Sequence, residues 1–166
     1  MFTSIASFEA GWIHESKATQ RVMDALTDDS LGQAVTPLNR TLGQLAWHIA
    51  STQHEMLTRT GLEFPAACHG EKAPASAKAI ADAYRVSSAA LLDAIKAQWN
   101  DDKLHETADM YGDQWRNGMT LHILIMHEVH HRGQMTVLMR QAGLRVPDLY
   151  GPTREDWIEW GQEPAL

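Results

Sequence analysis

Residues 121–138 read LHILIMHEVHHRGQMTVL, and the phase of this stretch decides the architecture. Four histidines, His122, His127, His130 and His131, sit in an otherwise apolar run. Leu124, His127, His131, Met135 and Leu138 recur at steps of three and four, which traces one face of an α-helix at its 3.6-residue period. His127 and His131 are therefore one turn apart on the face that turns inward. Side chains at that spacing have Cβ atoms about 5–6 Å apart, and two imidazole nitrogens can then converge on one ion at about 2.0–2.1 Å each. A single histidine on an apolar face is ordinarily a core residue with one hydrogen bond. Two on the same face would each need a separate buried partner, so a third inward-facing ligand decides between core and metal.

That ligand comes from residues 40–59, RTLGQLAWHIASTQHEMLTR. Asn39 or Thr41 is suited to cap this helix. Its apolar stripe is Leu42, Leu45, Ile49 and Met56, with Thr52 lending its methyl group, and His48 lies on the same stripe between Leu45 and Thr52. His54 falls about 240° further round and faces elsewhere. His48, His127 and His131 thus form a three-histidine set drawn from two helices, the candidate metal ligands.

The chain has 166 residues, 44% of them hydrophobic, enough for one domain spanning 1–166 with a sizeable core. Its formal charge of -7 offers no basic face to a nucleic-acid backbone. The one cysteine, Cys68, cannot form an internal disulfide and fits a reducing cytoplasm. The start, MFTSIASFEAGWIHES, lacks the basic-then-apolar order of a signal peptide. No run approaches the length of a membrane-spanning helix, so no membrane partner is expected.

Elsewhere the pattern is helical. Residues 3–26 carry Ile5, Phe8, Trp12, Val22, Met23 and Leu26 at helical spacing, with His14 either at the surface or behind the ligands. TDDSLGQAVTPLNR is a loop. The connection 61–76 is long and of the kind that covers sites. It holds Cys68 and His69, but neighbouring side chains point apart, and no electropositive surround activates the thiol. Residues 76–99 form a helix capped by Ser76, with Ile80, Tyr84, Leu91, Ile95 and Trp99 inward and no inward His, Cys or carboxylate, hence a wall. The acidic stretch 100–114 is expected to be a solvated face. The histidine-bearing helix covers 116–142 and ends before Gly143. Thr153, followed by acidic residues, starts a short last helix that buries one edge of Trp157 and Trp160. No segment alternates with period two. The expected fold is all-α: four long helices in a bundle and a short C-terminal fifth.

Three neutral imidazoles suit a borderline divalent ion such as Zn²⁺ or Ni²⁺ and leave at least one coordination position open. Glu128 stands about 100° round the helix from His127, either behind the ligands or exposed. The string His127 to His131 also matches H-E-x-x-H, the zincin motif in which the Glu is general base. The extended form of that motif requires Gly and His where Gln134 and Val137 stand. A downstream Glu ligand is conceivable at Glu155 or Glu159, but these lie in a short tail past Pro147 and Pro152. A metalloprotease is not favoured.

A lone histidine on the second helix, the H-x3-H spacing within HEVHHRGQM, and the segment MRQAGLRVPDLYGPTREDW together resemble the DinB family, the DinB/YfiT-like group. The likeness runs from LTDDSLGQ to the YGPTREDW tail. It implies a four-helix bundle in up-down-down-up order, usually a homodimer. It also implies a divalent metal, often nickel or zinc, held by three histidines. Matched by motif, these fall on His48, His127 and His131, and His130 is not one of them. Mycothiol-dependent maleylpyruvate isomerase and the bacillithiol S-transferases look similar in fold and metal site. The implied function is a metal-dependent enzyme that activates a low-molecular-weight thiol cofactor, or water, against a small-molecule electrophile. Beside it stand a metal-binding stress protein without turnover and a bundle whose buried histidines hold no metal. The roles of Cys68, Glu128, His130 and Gln134 stay open.

Overall fold

The computed structural model describes residues 1–68 and 72–164. Side-chain caps set the helix starts. Ser4 accepts a hydrogen bond from the Ser7 backbone N–H and opens α1, Ile5–Asp24. Thr41 and Gln44 form a reciprocal capping box at the head of α2, Leu42–Thr58. Ser76 caps α3, Ala77–Gln98. The histidine-bearing helix is α4, Asn117–Gln141. Thr153 and Asp156 box the start of α5, Arg154–Glu159. Where a loop was expected after α1, Asp28–Gly32 winds as a 3₁₀ turn boxed by Thr27 and Ser30.

The expected all-α class needs one correction. Residues 107–116 are a β-hairpin, β1 Thr107–Met110 against antiparallel β2 Asp113–Arg116, with Met110 opposite Asp113. The turn residues Tyr111 and Gly112 both have positive φ, 62° and 94°, the backbone twist that two-residue hairpins demand. Strands of four residues are too short to display period-two alternation, so in the sequence the stretch shows only its acidic composition. It is not simply a solvated face either: Leu104 and Met110 anchor it in the core. The hairpin runs straight into α4. There Gly118 is pressed against the N-terminal segment, whose Phe2 N–H donates to its carbonyl at 3.0 Å. A Cβ at this position would stand 2.2 Å from the Phe2 carbonyl oxygen.

α1 packs on α3 and α4, and α2 packs on the same two helices. Burial falls into two apolar clusters. One gathers Val22, Leu42, Ile49, Ile80, Met135 and Leu138; the other gathers Phe8, Trp12, Leu57, Leu91, Ile95 and Leu121. Between them in chain order, each long helix buries polar residues: Thr19 on α1, Thr52 and Gln53 on α2, Ser87 on α3, Glu128 and Arg132 on α4. The bundle therefore carries a polar layer at mid-height. No helix of the described residues is long and apolar enough to cross a membrane.

Candidate metal centre

The inward phase read for α2 and α4 brings His48, His127 and His131 together. Their rings stand at centroid separations of 4.9, 4.8 and 4.4 Å, and one nitrogen from each lies within 4.8 Å of the others. Nε2 of His48 and Nε2 of His127 are 3.1 Å apart. His131 is buried, while His48 and His127 are partly open.

The outer nitrogens of two rings are engaged. The Thr52 hydroxyl donates to the His48 carbonyl at 2.7 Å, as threonine does along a helix one turn on. Its oxygen is then left to accept from His48 Nδ1, 3.3 Å away. On α4, Gln134 Oε1 lies 2.7 Å from His131 Nδ1, and Gln134 Nε2 lies 3.2 Å from His130 Nε2. An N–H on Nδ1 of His48 and of His131 leaves the lone pair on each Nε2, aimed at the common point. Burial, reinforced by Arg40 and His131, pulls the His48 imidazole down to about 4. Burial and the neighbouring rings do the same to His127, also to about 4, and burial lowers His131. At neutral pH all three are uncharged donors, the form a divalent ion requires.

His130 is exposed; it meets the site through Gln134 and through its ring, which stands edge-on to that of His131 at a centroid separation of 4.9 Å. His54 turns away as its phase requires and bonds the Phe64 carbonyl at 3.1 Å. His14 is exposed. Cys68 packs on the first apolar cluster, where burial pushes its thiol up to about 11, so it stays protonated. His69 lies outside the described residues.

Glu128 is neither exposed nor directed at the histidines. It is 1% exposed and accepts from Thr19 and Tyr84, each at 2.7 Å, on Oε1. Burial raises its pKa; burial and Glu128 together raise that of Tyr84. Arg132, equally buried, donates to the Thr19 hydroxyl at 2.9 Å and to Glu15 at 2.6 Å, and Tyr150 from the tail closes on the same carboxylate at 2.6 Å. A residue that faces α1 and α3 cannot serve as general base for an ion held between α2 and α4. Glu155 and Glu159 are committed to Arg140 and Arg145. The zincin reading fails on all three residues. The wall helix α3 does send polar groups inward: the Tyr84 hydroxyl donates to Glu128 and the Ser87 hydroxyl to the Ala50 carbonyl.

Two grooves flank the histidines. One, of about 460 Å³, is lined by Arg40, Leu45, His131, Gln134 and Val137 among others. The other, of about 290 Å³, is lined by Arg40, Gln44, Trp47, His48 and Ser51 among others. Arg40, just before the cap of α2, is common to both.

A sequence model of the DinB family matches residues 1–163. The chain is 45% identical over 163 residues to the uncharacterized protein YrdA of Bacillus subtilis strain 168, covering 98% of each. It is 44% identical to a solved DinB-like protein from Bacillus cereus ATCC 10987, with a TM-score of 0.87, covering 90% of this chain and 100% of that one. The DinB-like protein YjoA from Bacillus subtilis is 18% identical, with a TM-score of 0.68 over 86% of this chain and 97% of its own, a likeness of fold alone.

Proposed function

The chain belongs to the DinB family, and from that premise we propose that it is a metal-dependent enzyme. In this reading His48, His127 and His131 hold a divalent ion and a small thiol or a water is activated there against a small electrophile. The observation that carries the reading is the aim of the ring nitrogens. Two imidazoles have their Nδ1 atoms engaged by Thr52 and Gln134, so their Nε2 lone pairs point at one another's neighbourhood, and the third ring brings its own Nε2 to 3.1 Å of the first. Converging lone pairs repel unless a proton or a cation stands among them. Three neutral imidazoles suit zinc and nickel alike.

A divalent ion bound there supplies Lewis acidity, lowering the pKa of a thiol or water that reaches it. The chain's own residues do the rest. Thr52 and Gln134 fix the rotation of two rings, as outer partners do at histidine metal centres. Three protein ligands leave a position free for a reactant, and the two grooves give it a way in. Leu45 and Val137 line the larger groove with apolar surface beside His131.

The same reading takes the helix order as up-down-down-up. The support is in pairs along each helix. Trp12 bonds the Ser88 carbonyl while Gln20 bonds that of Ala81, so α1 and α3 run oppositely. Phe2 meets Gly118 while Glu15 meets Arg132, so α1 and α4 run together. A homodimer is part of the proposal on family grounds.

The test is metal analysis of protein purified without a histidine tag, followed by cobalt substitution and titration with thiols. The expected result is one ion per chain and a thiol-dependent cobalt absorption band. Absence of metal overturns the proposal; a loaded protein with no band overturns its thiol arm.

A further inference from the structure

Arg40 differs in its surroundings from most arginines of the chain. Arg21, Arg59, Arg85, Arg132, Arg140 and Arg145 each meet a carboxylate within ion-pair distance. Arg40 has no such partner among the described residues, yet it lines both grooves beside the histidines. Acidic residues outnumber basic ones 21 to 14 in the sequence, but neither groove has an Asp or Glu among its described lining residues. Its charge reaches all three imidazoles, acting on each of them to disfavour protonation. A fixed cation beside uncharged ligands and apolar walls makes a field that concentrates small anions.

Resting on the three-histidine reading above, we propose that Arg40 selects a carboxylate-bearing small molecule, the carboxylate pairing with the Arg40 guanidinium while the reactive end of the same molecule reaches the histidine centre. Three features set this class. One arginine, with no lysine or second arginine among the described lining residues, matches a single negative charge better than a doubly charged phosphate. The guanidinium fork binds a carboxylate through two parallel hydrogen bonds. Val35, Leu45, Val137 and Leu138 line the larger groove, which suits an apolar body between the two ends.

The experiment compares wild-type protein with Arg40→Gln at equal cobalt loading. The probes are 3-mercaptopropionate, 2-mercaptoethanol and succinate, with affinities read by cobalt absorption for the thiols and by calorimetry for succinate. Arg40 is exposed, so the variant is expected to fold. The expected result is that wild-type protein binds 3-mercaptopropionate about tenfold or more tighter than 2-mercaptoethanol, as loss of a charge-assisted pair predicts, and that Arg40→Gln brings the ratio close to one. Equal affinity for the two thiols in wild-type protein, or a preference that survives in Arg40→Gln, overturns the inference and leaves the thiol reading standing. If neither thiol yields a band, the thiol reading fails and succinate decides alone. Binding weakened about tenfold by Arg40→Gln upholds the carboxylate assignment; absent or unchanged binding overturns it. If no cobalt loads, the metal reading fails, and succinate binding to the metal-free pair decides in the same way.

Discussion

Gln134 Oε1 lies 2.7 Å from His131 Nδ1, three residues back along α4, while its amide nitrogen faces His130. The second contact orients the amide, so the carbonyl rather than the NH₂ meets His131. Gln134 is exposed, and losing it leaves the fold within about 0.5 kcal/mol of wild type. Gln134→Ala is expected to weaken metal binding about 10–100-fold, the usual cost of removing an outer partner of a ligating histidine. Competition against a chelator of known affinity measures it; unchanged affinity would remove Gln134 from the centre.

His48→Ala is expected to cost more than the outer partner does, above about 100-fold in affinity, because it takes away one of three donors. His130→Ala serves as its control. His130 is exposed and, among the described residues, bonds Gln134 and meets the edge of the His131 ring, so its removal is expected to leave stoichiometry intact. Equal metal content in His48→Ala and wild-type protein would contradict the three-ligand arrangement.

Acid is expected to destabilise the metal-free protein in a defined window. A free imidazole titrates near 6.5, whereas burial holds His48 and His127 at about 4. Between those values the unfolded chain binds more protons than the folded one at these two rings, so their contribution makes stability fall as pH drops from about 6.5 to about 4. Urea midpoints measured across that range test it. His48→Gln, which cannot titrate there, is expected to flatten the slope. An equally steep slope in that variant would show that the His48 ring is not its source.

Arg132 donates to Glu15, Thr19 and Tyr150 from a position 1% exposed. Arg132→Ala would strand the Glu15 carboxylate, take a donor from the Thr19 hydroxyl and remove the positive charge near Glu128. Breaking a buried pair on one side costs about 3–5 kcal/mol, and chemical denaturation is expected to show a loss of that size. Tyr150→Phe removes one hydroxyl and is expected to cost about 0.5–1.5 kcal/mol. A small effect of Arg132→Ala would mean that the network relaxes without strain.

Helix phase made the three histidines legible, because positions 48, 127 and 131 fall on stripes whose other members are apolar. The same criterion hid Glu128 and Arg132. A helix buried on one side hides only apolar residues, but α4 is buried on two, and its second face is polar. The partners that neutralise that face lie far off in sequence: Thr19 and Glu15 are 109 and 117 positions from the residues they bond. Local pattern carries no trace of such pairings. The hairpin was lost for a different reason, since four-residue strands joined by Tyr111 and Gly112 leave too few positions for alternation to register. An exposed arginine before a helix is ordinary in a sequence; the meaning of Arg40 comes from the histidines that the fold sets beside it.

His127 and His131 alternate along α4 with Glu128 and Arg132, and the two pairs serve opposite neighbours. Adding or deleting one residue within the helix would turn everything downstream by about 100°, carrying imidazoles toward α1 and a guanidinium toward α2. Both arrangements would fail at once. The length of this helix is therefore held fixed by two independent requirements.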